Sequence, residues 1–348
     1  MNTPDQLGFF DLTHRYDALT RKGDPLEELA QHIPWARFRK TLEKSLCRSQ
    51  RPKGGRPPFD AILMFKVLVL QALYNLSDDQ TEYQIRDRLS FMRFLGLDLH
   101  QRIPDAKTIW LFRETLAQAG VVETLFAQFD TYLAGQGLQA CGGQLIDASL
   151  IPVPKQRNTR EENATVKAGD CPTDWEAQPA KRRQKDTEAR WTVKRGVRHY
   201  GYKNHVNVDK QHKLIRRYAV TDAAVHDSQV LEDVLQPKTA GRDVWADAAY
   251  RSKEIEAQLK KRQLRSRIQY KGYRGNPLTA KQTQTNQQRA RIRARVEHVF
   301  GQQVMAMGGK LIRTIGIVRA HAKIGLKNLT YNFQRFLGLM TAVRAQPA

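Results

Sequence analysis

The 348-residue chain is poor in cysteine, in long apolar runs and, over its second half, in acid. Each shortage excludes something. Cys47, Cys141 and Cys171 stand far apart with no C-x-x-C pair, which argues against a zinc ribbon or a disulfide-built scaffold and fits reduced thiols in a cytosolic protein. The most apolar stretch, Ala61 to Leu73, is interrupted by Lys66 and is too short to span a bilayer. The N-terminal residues hold no basic region followed by an apolar run, so no signal peptide is read. Acid is scarce where base is not. Lys and Arg number 58 against 35 Asp and Glu, a formal net charge of +23. Residues 1–180 carry 22 basic and 23 acidic side chains, whereas residues 181–348 carry 36 and 12. With 41% hydrophobic residues the chain is too apolar for a disordered polycation and can build a full core. So large an excess argues against a small-metabolite enzyme without a polyanionic partner. The expected setting is the cytoplasm, and the natural polyanion there is nucleic acid.

Residues 1–58 read as an arm, a helix with Phe38 and Leu42 at near-helical spacing after Ile33-Pro34-Trp35, and a basic joint, Arg51 to Pro58, that cannot be helix. Residues 59–140 read as all helix. Ser77 with Gln80 is a capping-box pattern for a helix over about 78–90. Such a run can hold a DNA-binding helix-turn-helix or be a plain packing domain. At Gly142-Gly143 the period changes, and Gln144 to Ile151 reads as a strand. Residues 155–196 lack apolar periodicity and read as a long loop or mobile insertion. Strands follow at Tyr200–Val208 and Leu214–Thr221, then a short one at Val244–Ala246, a helix over Ser252–Arg262, a strand near Arg265–Tyr270, a loop over Lys271–Thr285 and a helix over 286–307. A final helix near the C-terminus lies in residues 311–348. The fold class expected is α+β or α/β, with residues 141–310 in the element order of a ribonuclease H-like core elaborated by long basic loops.

Three carboxylates stand where acid is unexpected. Asp147 lies inside an apolar strand, where Asp is depleted and an unpaired buried carboxylate is costly. Asp247 ends a short strand, a common place for a site in a mixed sheet. Glu297 borders the buried stripe Ile292, Val296, Val299 and Phe300. Converging oxygen ligands of this kind suit Mg²⁺ or Mn²⁺, and two such ions about 3.5–4 Å apart can activate a hydroxyl and stabilise the leaving oxygen of a phosphodiester. Each residue also has a plain role open to it: Asp147 and Asp247 as caps, Glu297 as an i,i+4 partner of Arg293.

Taken together, the motifs resemble the DDE transposases of the insertion sequence 5 family of bacteria. They are Ile33-Pro34-Trp35, Gly55-Arg56-Pro57, Leu73 to Asp78, Pro104-Asp105 with Phe112-Arg113, Ile146-Asp147-Ala148, Trp191, Gly201-Tyr202-Lys203 with His205, His226-Asp227, Ala246 to Tyr250, and Arg293 to His298 with Phe300, in the family's order. The resemblance implies a DNA transposase with Asp147, Asp247 and Glu297 as metal-binding catalytic triad and two Mg²⁺ or Mn²⁺ ions. It further implies DNA contacts by Lys203, His205, Arg291, Arg293 and Arg295, and supporting places for His226, Asp227 and Tyr250. The partners implied are double-stranded DNA, as terminal inverted repeats and target, and further copies of the chain in a dimer or larger assembly, with no membrane. A nuclease that does not transpose and a non-catalytic DNA-binding relative are the alternatives. The family's extended signature around the glutamate is half present: Arg293 and Glu297 fit, but its Tyr and Lys positions are Ala290 and Val304.

The charge then has a shape. Residues 181–217 carry +10 and residues 251–298 carry +11, while residues 218–250 between them carry −4 and include Asp222, Asp227 and Asp247. That pattern suits a basic DNA channel around an acidic pocket, with a grip that weakens as salt rises.

Overall fold

The change of period at Gly142-Gly143 falls in the larger of two compact units of the computed structural model, residues 117–336. The other holds the residues before 117 and after 336. The boundary therefore precedes the helix Val121–Gly135, which the sequence reading grouped with residues 59–140. The structure describes residues 10–46, 57–194, 196–237 and 241–344. Residues 1–9 and all of the basic joint before Pro57 lie outside them.

The first unit holds α1 (Asp11–Arg21), α2 (Pro25–His32), α3 (Ala36–Ser45), α4 (Ala61–Tyr74), α5 (Asp78–Asp87), α6 (Leu89–Leu95) and most of α7 (Ala106–Gln118). The starts of α2, α4 and α5 are set by side-chain caps. Asp24 accepts from the Leu26 amide, Asp60 from those of Ile62 and Leu63, and Ser77 and Gln80 form the expected capping box. Lys66, the charge inside the apolar run, donates to the Phe94 carbonyl at 2.9 Å and lies over the Trp35 and Phe94 rings, so its ammonium is satisfied within the core. No single helix among the described residues is long and apolar enough to cross a membrane.

The second unit begins with α8 (Val121–Gly135) and carries one sheet: β1 (Gln144–Pro152), β2 (Arg190–Lys194), β3 (Val197–Asp209), β4 (Ile215–Asp222), β5 (Asp243–Trp245) and β6 (Arg265–Ser266). β1 pairs antiparallel with β3, and β3 pairs antiparallel with β4 and β2. On its other side β1 runs parallel to β5, and β5 to β6. An antiparallel meander continued by two parallel strands on the first strand's free side is the ribonuclease H-like arrangement, with β2 added along the β3 edge. Between the strands lie α9 (Arg160–Ala168), α10 (Thr173–Glu176), α11 (Pro179–Arg183), α12 (Leu231–Val234) and α13 (Lys253–Lys261). They are followed by α14 (Ala280–Arg293), α15 (Glu297–Met305) and α16 (Ile317–Arg344), whose residues from Leu337 on belong to the first unit.

Three expectations are corrected. Residues 155–196 are not one loop. They fold as α9, α10, α11 and β2 around Trp175, which is fully buried and donates from its indole nitrogen to Glu162 at 2.6 Å. The strand expected over Arg265–Tyr270 is two residues long. The helix expected over 286–307 begins at Ala280 and breaks at Ala294–Val296, giving α14 and α15.

The two sheet faces have separate cores. Ile146, Val244, Ala246 and Tyr250 pack with Leu231, Val234, Ile255 and Leu259 on one. Ile151, Tyr200 and Tyr202 pack with Ile312, Ala320 and Ile324 on the other. Gly143 sets the close approach of β1 and β5: its φ is +108°, and a Cβ there would lie 2.4 Å from the Trp245 ring.

Candidate active site

The parallel ladder of β1 and β5 has only two pairs, Gln144 with Val244 and Leu145 with Trp245. Beyond them the two strands no longer pair with each other. Asp147 and Asp247 each stand two residues beyond the last pair, so the register carries them to matching positions where the two strands part. Such a parting between strands is where α/β sheets place their sites. Asp147 stays in β1, opposite Val206 of β3, and is 9% exposed. Asp247 also caps the short 3-10 turn Ala248–Tyr250, accepting from the Ala249 amide at 2.8 Å. That capping role holds alongside its place in the cluster. Glu297 opens α15, and its side chain is 58% exposed.

Arg293, the last residue of α14, joins the three. Its guanidinium donates to the Asp147 carboxylate and lies 3.5 Å from Glu297, one turn on. The break at Ala294–Val296 brings this about, because α14 ends with Arg293 turned to the sheet while α15 restarts with Glu297 beside it.

Burial pushes the Asp147 carboxyl up to about 6. Arg293 and the Ala148 amide oppose that shift, and the charges of Asp247 and Glu297 add to it. Asp247 and Glu297 therefore both lie within electrostatic reach of Asp147. The three acids are not clamped: among the described residues, they are not a group whose ligand oxygens all fall within 4.8 Å. Tyr250 is buried, its hydroxyl has no protein partner among the described residues, and burial followed by Asp227, Asp147 and Asp247 pushes it well above its ordinary value.

Without metal, Asp147 thus holds its proton more tightly folded than unfolded. The stability this brings is complete below about pH 4, the ordinary carboxylate range, and is lost as pH rises through about 6. Relative to Asp147→Asn, the wild-type chain should lose up to about 3 kcal/mol of unfolding free energy across that window. Urea titrations without divalent ions measure it, and a difference that does not change with pH would refute the buried-charge account.

The other expected residues divide. Arg291 and Arg295 are exposed, and Arg295 also donates to the Lys210 carbonyl at 3.1 Å. Lys203 and His205 do share a strand face, but His205 stands opposite Ala148, so theirs is the face Asp147 does not use. His205 is 1% exposed and bonds Thr221 at 2.9 Å, and burial pushes it down to about 4, so it is a neutral core residue rather than a DNA contact. The Lys203 ammonium binds Asp227 at 2.8 Å and the Val225 carbonyl at 2.6 Å, which makes it a structural clamp. His226 caps the turn Asp227–Val230 through Ser228 and is exposed. Ala290 is half-buried and Val304 is exposed, neither offering a polar group.

Sequence reasoning missed Lys310 and Ser149, which meet next to Asp147: the Lys310 ammonium donates to the Ser149 hydroxyl. Ser149 is two residues after Asp147 on the same strand face, a signal that alternation offered. Nothing local marks Lys310. Also missed was a grouping of Cys141, Asp209 and His212, whose possible ligand atoms lie within 4.8 Å of one another. Asp209 there already accepts from the His212 and Leu214 amides and from Arg216.

The family described as "Transposase DDE domain" matches residues 142–333, more than half of the chain. The family described as "Transposase domain (DUF772)" matches residues 14–115. Among solved structures the chain is similar to one described as "Cryo-EM structure of piggyBac transposase synaptic complex with hairpin DNA (SNHP)". That likeness has 12% identity and a TM-score of 0.45 over 93% of this chain and 76% of that one.

Proposed function

Since the chain belongs to the DDE transposase family, with the make-up of insertion sequence 5-like members, and is a DNA transposase that cleaves and joins DNA with divalent metal ions, we propose that Asp147, Asp247 and Glu297 are its catalytic triad. The observation that carries this reading is Asp147 itself, a carboxylate buried where β1 and β5 part and burdened by the charges of the other two acids. An all-oxygen set of three acids fits hard cations, and two Mg²⁺ or Mn²⁺ ions are the cofactors we assign. When bound, they supply charge stabilisation at the attacking and leaving oxygens of a phosphodiester.

The chain's own residues have separable tasks. β1 fixes Asp147, and the cap on Ala249 fixes Asp247. Glu297, exposed on the first turn of α15, is the member free to adjust. Arg293 offsets the charges of Asp147 and Glu297, the residues that would hold the cations. Arg291 and Arg295, exposed around the break between α14 and α15, hold DNA phosphates. The helices between residues 59 and 116 recognise the element's terminal inverted repeats. The two ends are joined by a dimer or larger assembly working on cytoplasmic, nucleoid DNA.

The test uses the full chain, duplexes ending in the terminal repeats, a target plasmid and Mg²⁺. Recovery of donor 3′ ends covalently joined to plasmid is the expected result. Cleaved ends that never join would replace this reading with that of a nuclease.

A further inference from the structure

The side of the site that the triad leaves undescribed is lined by a hydroxyl and a cation. Ser149 follows Asp147 by two residues in β1, so both side chains leave the same sheet face, about 6.6 Å apart along the strand. That spacing is comparable with the distance between successive phosphates of one DNA strand. The Lys310 ammonium donates to the Ser149 hydroxyl, and it lies 4.8 Å from the centre of the Phe300 ring of α15. An ammonium has three N–H donors, and this bond uses one. Lys310 makes no ion pair among the described residues, although burial, Glu297, Lys194 and Asp147, in that order, all bear on its charge.

The position of Lys310 is built. It follows Gly308 and Gly309, both with positive φ (+67° and +93°), a backbone that L side chains rarely adopt. The carbonyls on either side of Gly308 are held by a buried lysine. Lys327 of α16 donates to the Met307 carbonyl at 2.8 Å and to that of Gly309. Lys327 is 9% exposed, and burial, helped by Lys310 and Lys323, pushes it down to about 8. A buried cation is costly. What this one fixes is the turn that carries Lys310, so the same α15 that presents Glu297 at its start delivers Lys310 after its end.

We propose that Ser149 and Lys310 form a phosphate subsite for the phosphodiester adjoining the scissile one on the strand being cut, aligning that strand on the carboxylates. This rests on the transposase reading of Asp147, Asp247 and Glu297. The subsite needs no covalent step: the hydroxyl and the ammonium each donate a hydrogen bond to a non-bridging oxygen, and the ammonium offsets its charge.

Single-turnover cleavage of end-bearing duplexes, with one methylphosphonate placed at each phosphate flanking the cut in turn, tests it. In the wild-type chain, neutralising the phosphate next to the cut should slow cleavage about 100-fold, the scale of losing one aligned charged contact. Lys310→Met should slow cleavage of unmodified DNA by a similar factor, hold end binding within about threefold, and lose nothing further with that methylphosphonate. Lys310→Arg should recover part of the rate. Should Lys310→Met not fold, Ser149→Ala must show the same non-additivity with a smaller loss. Losses that multiply at every flanking position would overturn the subsite while wild-type cleavage of native ends stands. Failure of the wild-type chain to cleave native ends would instead strike the triad reading beneath it.

Discussion

Asp147→Asn, Asp247→Asn and Glu297→Gln are each expected to lower metal-dependent cleavage of end-bearing DNA by about a thousandfold or more. Ligand carboxylates control several kcal/mol of transition-state charge stabilisation, and each 1.36 kcal/mol is about tenfold in rate. Each substitution keeps the side chain's shape and removes one ligand charge. Unfolding will not account for the loss at Asp147, because burial already works against its charged form, and the amide relieves that cost at neutral pH. Asp247→Asn retains an oxygen for the Ala249 amide, so the cap survives. Glu297→Gln alters an exposed side chain whose partner Arg293 keeps Asp147. Binding of end DNA, carried by basic side chains, should stay within a few-fold in all three. Single-turnover cleavage measured beside a gel-shift titration checks both halves. A variant that still cuts near the wild-type rate would remove its residue from the triad.

The sequence made the first two acids conspicuous for a physical reason and left the third ambiguous. Asp147 breaks an apolar strand, and Asp247 ends one, so each contradicts its own surroundings. Glu297 contradicts its surroundings least, since it only borders a buried stripe. It pairs with Arg293 at i,i+4, as its spacing suggested, and the shared order of motifs marked it out more than its own position did. The plain role does not exclude the one proposed: Asp247 caps a turn, and its charge also bears on Asp147. Strand alternation revealed that Lys203 and His205 share a face, but which face depends on the pairing of Ala148 with His205, a property of the sheet and not of the strand. The break at Ala294–Val296 was hidden because Ile292, Val296, Val299 and Phe300 keep helical spacing across it. The helices α9 to α11 were hidden because α9 and α10 each bury one anchor, Val166 and Trp175, and α11 buries none, which makes no period. Lys310 and Lys327 could not be picked out, since their partners, Ser149 and the Met307 and Gly309 carbonyls, come from other parts of the chain.

Arg216→Met should cost the fold about 3–5 kcal/mol, the usual penalty for stripping one partner from a buried ion pair. Arg216 is 4% exposed and serves three acceptors at once: Asp209 at 3.2 Å, Asp130 of α8 at 2.8 Å and the Leu138 carbonyl at 2.7 Å. Asp209 is 1% exposed. Methionine fills much of the stem's volume but leaves the Asp209 charge in the interior with two backbone amides and His212, and leaves the Leu138 carbonyl without this donor. The loss should therefore exceed that of a core truncation of similar size. The exposed pair Arg262–Glu232, with side chains 41% and 58% exposed, provides the contrast, and Arg262→Met should cost under about 1 kcal/mol. Adding Asp209→Asn to Arg216→Met should cost less than the sum of the two single changes, because the stranded charge is gone. Urea unfolding of the four variants decides it. An Arg216→Met loss no larger than that of Arg262→Met, or strict additivity with Asp209→Asn, would show that the buried network carries no special share of the stability. Arg216 touches none of the three carboxylates, so the rate of cleavage per folded molecule should not change with it.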